Sequence, residues 1–398
     1  MRRRGYFSGL SASTFLLALS SLFSDVSTEM LYPVLPTFLT QTLKASGSIV
    51  GLVDGFAQAT QNIVQGFSGA LSDKLKKRKI IALIGYLASA LAKPLIGIAT
   101  VWQGVLAARL LDRVGAGTRS PPRDALVAAS VDEKDRGRAF GLEGLGDNAG
   151  AFLGPLLAVA LLYALHVGIR TIFYLAIIPG LLAFCMVLFV ADKSAAVTVA
   201  AKSKIDLRVR QFPEAYWKYL GVTALFNLGN SSNAFLILRT QETGISLRST
   251  ILVYAGFNLA AAVISYPAGS LSDRLGRRSI LLSSFVISGV AYLGFALTQN
   301  PFFIVALFIF YGLFQGIFRA VGKTLASDFV PPPLRASGIG WYSTTVGVSQ
   351  LLASVIAGFL WDRIGHTAVF LYGAGTAAAG SWALLACVSG STPRNSQE

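Results

Sequence analysis

The chain has 398 residues, of which 54% are hydrophobic and 13% charged, with a net charge of +15 and a mean hydropathy of +0.61. A soluble globular chain carries about 25% charged residues, so this apolar excess excludes an ordinary soluble domain and puts the chain in a bilayer. The basic residues gather at the ends of apolar segments instead of covering a polar face. That excludes a nucleic-acid module and fits basic loops retained on the cytoplasmic side.

About twelve apolar stretches of roughly 20 residues, the length that crosses a bilayer, follow one another. Met1-Arg2-Arg3-Arg4 has the charge of a signal-peptide start, but the apolar run passes signal length without a small-residue cleavage site and reads as a retained span. Span 1 (10–38) carries Asp25 and Glu29, then Pro33 and Pro36. Span 2 (47–70) carries Asp54, Gln58, Gln61, Asn62 and Gln65 and leads into the hairpin Gly69-Ala70-Leu71-Ser72-Asp73-Lys74-Leu75-Lys76-Lys77-Arg78. Span 3 (80–99) contains Lys93, for which the chain offers no evident partner. Span 4 (103–128) is rich in charge, with Arg109, Asp112, Arg113, Arg119, Arg123 and Asp124, and Pro121-Pro122 is expected to interrupt it. Span 5 (139–165) carries Glu143 and Asp147, and span 6 (170–191) closes the first half.

Residues 192–213 turn basic and polar and read as a linker. Spans 7 to 12 fall near 215–238, 248–271, 279–298, 302–328, 336–360 and 367–389. Lys and Arg concentrate on the side holding the N-terminus, both hairpins and the linker, so both termini are expected in the cytoplasm. Cys185 and Cys387 lie in apolar segments, and His166 and His366 in short loops, which leaves neither a disulfide framework nor a metal cluster.

The first hairpin returns 200 residues later as Gly269-Ser270-Leu271-Ser272-Asp273-Arg274-Leu275-Gly276-Arg277-Arg278. Arg119 and Arg123 likewise precede Arg319 and Lys323 by 200 residues, and Asp124 has a near counterpart in Asp328. The chain therefore divides into an N-terminal six-span unit (1–191), a cytoplasmic linker (192–213) and a C-terminal six-span unit (214–398). Parallel repeats of this kind are a transporter architecture.

These motifs resemble those of the major facilitator superfamily. The second hairpin is similar to the family signature Gly-x-Leu-x-Asp-Arg-x-Gly-Arg-Arg. The first has Lys74, Lys76 and Lys77 in its place, losing the turn glycine and keeping the charge pattern. Arg109 with Gly115 is similar to the Arg-x-x-x-Gly-x-Gly motif of span 4, with Arg113 at the first glycine position. Gly150-Ala151-Phe152-Leu153-Gly154-Pro155 resembles the Gly-Pro motif of the drug-antiporter branch. The resemblance implies an all-α membrane protein of twelve transmembrane helices in two pseudo-symmetric six-helix bundles. It also implies a cavity lined by spans 1, 4, 7 and 10 and alternating access driven by the proton gradient.

Asp25 and Glu29 lie one helical turn apart on one face of span 1. A carboxylate inside a bilayer costs about 2.5–3.5 kcal/mol by insertion scales, so it needs a cavity or a partner. These two, with Arg109, Asp112, Arg113, Glu143 and Asp147, are the candidates for substrate or proton coupling. The structural alternatives are a fixed pair with Arg109, and pairing of Glu143 and Asp147 with Arg119 or Arg123. Arg119, Arg123, Arg319 and Lys323 are candidate ligands for an anion, or else latches to the neighbouring aspartates. Asp73, Arg78, Asp124, Asp273, Arg277, Arg278 and Asp328 read as a conformational gate, or as anchors of topology. Tyr32, Phe226, Tyr254, Phe257, Tyr311 and Phe314 are placed to line a cavity or to pack.

The sequence contains no Walker loop and nothing resembling a nucleophile–base pair, so neither a cofactor nor enzymatic chemistry is expected. The expected function is proton-coupled export of a small organic molecule, the alternative being transport of an organic or phosphorylated anion through helices 4 and 10. The expected partners are lipid and a small solute, not nucleic acid, for a monomer in a bacterial inner membrane.

Overall fold

A computed structural model describes residues 10–75, 77–132, 135–191, 212–331 and 334–388, with the side chains of residues 70, 73, 74, 335 and 336 set aside. Its long elements are helices. In the first half they are α1 (Ala12–Glu29), α2 (Gly47–Leu75), α3 (Arg78–Ile98), α4 (Trp102–Ala129), α5 (Arg136–Val159) and α6 (Ile169–Leu175, resuming as Ile177–Leu188). In the second half they are α7 (Glu214–Asn227, resuming as Asn233–Glu242), α8 (Leu247–Leu275), α9 (Arg277–Leu297), α10 (Pro301–Asp328), α11 (Arg335–Arg363) and α12 (His366–Cys387). The protein is thus all-α, with six helical spans in each half. Eight of the twelve are long and apolar enough to cross a membrane on composition alone. The other four, α1, α2, α4 and α7, are the polar or broken ones.

The breaks in α1 and α7 correspond. α1 stops at Glu29 and α7 at Asn227, 198 residues later. In α1, Pro33 withholds a backbone donor, and the chain resumes at Leu35–Thr37 before a π-helical turn over Phe38–Thr42. In α7 the expected continuous span is interrupted between Asn227 and Asn233, where polar side chains bond to one another at the break. Asn230 Nδ2 donates to Asn227 Oδ1 at 3.1 Å, and Tyr311 Oη donates to Asn230 Oδ1 at 2.8 Å. Ser232 caps the second segment by accepting the N–H of Ala234 at 3.0 Å. Gly229 lies so close to Thr376 that no side chain fits there.

α4 runs unbroken through Pro121 and Pro122, contrary to the expected interruption. The two prolines free the carbonyls of Gly117 and Thr118 four residues earlier. Ser68 Oγ of α2 donates to the Thr118 carbonyl at 2.5 Å, which removes one reason for the helix to open.

The chain forms two compact units. One comprises residues 1–34 and 60–202, the other 35–59 and 203–398. Residues 35–59 precede the linker in sequence and yet pack with the second unit. There Asp362, at the end of α11, accepts the N–H groups of Gly47 and Ser48, each at 2.8 Å, and so caps α2 from another helix. Ser232 Oγ donates to Asp54 Oδ2 at 2.6 Å, and Gln241 Nε2 to Thr37 Oγ1 at 2.8 Å. Gly51 and Gly55 of α2 and Gly358 of α11 supply the close backbone approach.

Within the first unit, Gly146, Gly150 and Gly154 form a stripe on α5 at intervals of four residues. Cβ atoms there would strike the α1 backbone at Ala18, Leu22 and Val26. Gly85 and Gly115 meet in the same way between α3 and α4. The second unit is held by stacked rings instead, among them Phe226 on Phe285 with centroids 3.8 Å apart and Tyr311 near Phe314 at 4.9 Å. Phe226, Tyr254, Phe257, Tyr311 and Phe314 are buried in that stack, and Tyr32 is buried in its own unit, so all six pack.

Candidate functional site

The polar interior of the first unit is built by α1, α3, α4 and α5. Tyr86, Ser89 and Lys93 form a stripe along α3, and α4 presents Arg109, Asp112, Arg113, Arg119 and Arg123. Two closed charge networks result. In the first, Asp112 Oδ2 accepts from Arg113 at 2.7 Å and from Arg109 at 3.3 Å, while Ser89 Oγ donates to Oδ1 at 2.6 Å. Arg113 also donates to Gln61 Oε1 at 2.8 Å. Arg109 therefore pairs with a carboxylate of its own helix.

The second network centres on Arg123. Its guanidinium reaches Glu143 at 2.7 Å, Asp124 at 3.1 Å and Asp147 at 3.5 Å, and it donates to Ser21 Oγ at 2.9 Å. Ser21 in turn donates to Glu143 Oε1 at 3.0 Å. Glu143 and Asp147 thus pair with Arg123, one of the two expected partners. Arg123 thus engages three carboxylates and a hydroxyl.

Between these networks lie Asp25 and Arg119. Asp25 makes no hydrogen bond or ion pair with any described residue, although the charges of Asp147, Arg119, Glu29 and Arg123 act on it. Asp25 and Glu29 sit where α1 meets the glycine stripe, their Cβ atoms against Gly150 and Gly154. Arg119 is 7% exposed, its guanidinium lies 4.8 Å from the centre of the Tyr86 ring, and its Nε has no hydrogen-bond partner among the described residues.

In the second unit Arg319 and Lys323 are exposed. Asp328 instead binds Arg277 at 2.7 Å, and Arg277 reaches Asp273 at 3.4 Å, which ties the α8–α9 hairpin to the end of α10. Arg278 donates to the Leu385 carbonyl at 2.6 Å at the end of α12. The first half does the same with a residue the sequence did not single out: Lys79 Nζ donates to the carbonyls of Leu188 and Val190, each at 2.8 Å, at the end of α6. The offset is 199 residues instead of 200. α2 ends at Leu75 and α3 starts at Arg78, whereas α8 ends at Leu275 and α9 starts at Arg277, one residue sooner. Gly276, at φ 90°, makes that shorter turn possible. Arg78 is therefore the first residue of α3, and Lys79 holds the cap. The side chain of Asp73 lies outside the described residues.

A twelve-span helical protein with corresponding broken helices and charges inside one unit belongs to the transporters. The sequence profile of the Major Facilitator Superfamily matches residues 17–238 and again 219–398. The chain is 35% identical over 372 residues to the uncharacterized MFS-type transporter MJ1317 of Methanocaldococcus jannaschii, covering 92% of each. It is 26% identical over 362 residues to the multidrug resistance protein MdtG of Klebsiella pneumoniae, covering 87% of this chain and 86% of that one. The crystal structure of the nucleoside transporter NupG superposes with a TM-score of 0.77 at 15% identity, over 94% of this chain and 98% of that one. The chain belongs to the Major Facilitator Superfamily. It is an integral multi-pass membrane transporter and not an enzyme.

Proposed function

We propose that this transporter uses the proton gradient to export a small organic molecule by alternating access, with Asp25 as the proton-carrying group. The supporting observation is that Asp25 is a carboxylate on a membrane helix with no ion-pair or hydrogen-bond partner among the described residues. A closed pair has no reason to change protonation as access switches sides. An unpaired carboxylate between an arginine and another carboxylate does, because small shifts in either neighbour change its preference. Relatives named as multidrug resistance proteins support export as the direction. The protein acts as a monomer in the inner membrane with both termini in the cytoplasm, the side favoured by its basic loops.

The test is export from proteoliposomes under an imposed pH gradient, comparing wild type with Asp25→Asn and Glu29→Gln. Dependence on the gradient in wild type, lost in Asp25→Asn, supports the reading. Export that ignores the gradient in all three proteins defeats it. A second reading, transport of an organic or phosphorylated anion, is favoured by one observation: Arg119, Arg319 and Lys323 have no ion-pair partner among the described residues. Under that reading transport collapses in Arg119→Ala and in Arg319→Ala.

A further inference from the structure

The second unit contains a cleft of about 320 Å³, within the size range of small-molecule sites. Its walls are Thr40 and Gln41 ahead of α2, Leu238, Gln241 and Glu242 at the end of α7, and Trp361 near the end of α11. All of these residues belong to that one unit. Among the described residues no lysine or arginine lines the cleft, and Glu242 is its one charged wall residue.

Glu242 is engaged through a single oxygen. Its Oε2 lies 3.1 Å from His366 Nδ1 and 3.5 Å from an Nη of Arg239. Arg239 gives its other donors to the end of α9, Nε to the Phe295 carbonyl at 3.3 Å and the second Nη to the Thr298 carbonyl at 2.7 Å. These bonds fix the carboxylate in place. Glu242 Oε1 has no partner among the described residues, and the side chain is 39% exposed.

The other wall groups have the same polarity. Thr40 gives its proton to the Pro36 carbonyl at 2.9 Å, so towards a ligand its hydroxyl can only accept. Gln41 is exposed, and its amide makes no hydrogen bond with any described residue. Trp361 packs against Phe235 with ring centroids 5.5 Å apart and brings an indole to the wall. A carboxylate oxygen, hydroxyl and amide oxygens and an indole all attract positive charge, and indole is the best of the aromatic partners for a cation. A metal ion such as calcium takes about six to eight oxygens, which a wide cleft with one carboxylate does not supply. A bulky monovalent cation asks only for one opposing charge and an aromatic face.

We propose that this cleft binds a small organic ammonium, with Glu242 Oε1 opposing its charge and Trp361 covering its alkyl groups. Asp25 belongs to the other unit, and the site does not rest on the proton-coupled reading.

The test measures binding of labelled choline to the whole protein in lipid nanodiscs by equilibrium dialysis, with empty nanodiscs as background. The competitor is dimethylbutanol, the neutral isostere with carbon in place of the ammonium nitrogen. Wild type should bind choline saturably and the isostere at least about tenfold more weakly. Glu242→Gln and Trp361→Leu should each weaken choline binding by about tenfold. Gln41→Glu, which adds a second carboxylate at an exposed wall position, should tighten it and keeps the test open if the other two variants do not fold. Absence of saturable binding in wild type, equal competition by the isostere, or unchanged affinity in the variants overturns the site. Binding lost in Asp25→Asn but kept in Glu242→Gln places choline elsewhere and overturns it too. None of these outcomes bears on whether Asp25 carries the proton.

Discussion

Arg123 and Glu143 are joined at 2.7 Å between α4 and α5, with both side chains about nine-tenths buried. Removing one partner of such a pair leaves the other charge stranded and costs about 3–5 kcal/mol. Arg123→Ala, which also strands Asp147, should therefore lower the thermal unfolding temperature sharply. Arg319→Ala, at an exposed residue without an ion pair among the described residues, should change it little. If the two variants unfold alike, Arg123 is not the structural hub that its contacts imply.

The glycine stripe of α5 makes a prediction with an internal control. A methyl group at Gly150 would lie 2.5 Å from the Leu22 carbonyl, so Gly150→Ala must push α1 away, at a cost of about 1–3 kcal/mol. Gly144 has nothing within 4 Å of its would-be Cβ. Gly144→Ala should be neutral or mildly stabilising, because alanine is the better helix former. Unfolding temperatures of the two variants decide the point.

Much of this architecture could be read directly in the sequence. The repeat at 200 residues, the hairpin signatures and the apolar stretches give the helix count and the family, because a bilayer permits few alternatives. Three features could not be read. Pro121 and Pro122 look like a helix break, and only the placement of Ser68 on another helix shows why α4 continues. Lys79 is hidden because the 200-residue offset pairs Arg78 with Arg278, whereas the one-residue difference between the turns makes Lys79 the counterpart. Asp54 and residues 35–59 read as first-half sequence, whereas Ser232 and Asp362 bind them from the second unit. Each depends on a partner at least 50 residues away, a distance at which local pattern carries no signal.

Asp362 caps α2 through two backbone N–H groups. Loss of such a cap costs about 1 kcal/mol, so Asp362→Ala should be mildly destabilised. It should also expose a cysteine placed at Ser48 to a membrane-impermeant thiol reagent more readily than wild type. Asp362→Asn, which keeps one acceptor oxygen but faces the second N–H with its own amide donor, should fall between the two. Equal labelling in all three would show that the cap does not hold this end of α2.

The bridge from Arg277 to Asp328 ties the α8–α9 hairpin to α10 at 2.7 Å, with both side chains partly exposed. Exposed pairs of this kind contribute about 0–1 kcal/mol to stability. Asp328→Asn is therefore expected to leave the unfolding temperature almost unchanged while slowing transport, since the contact would count only in switching. Transport at the wild-type rate would return this bridge to the role of a topological anchor.

The central claim is that Asp25 carries the proton that drives transport. Its most direct test compares solute exchange with gradient-driven movement in the same proteoliposomes. In Asp25→Asn, exchange of labelled for unlabelled solute at equal pH should continue near the wild-type rate, because the fold and the binding site are intact. Movement against a solute gradient under an imposed pH gradient should fall to background. An Asp25→Asn protein that still concentrates solute as wild type does would contradict the account.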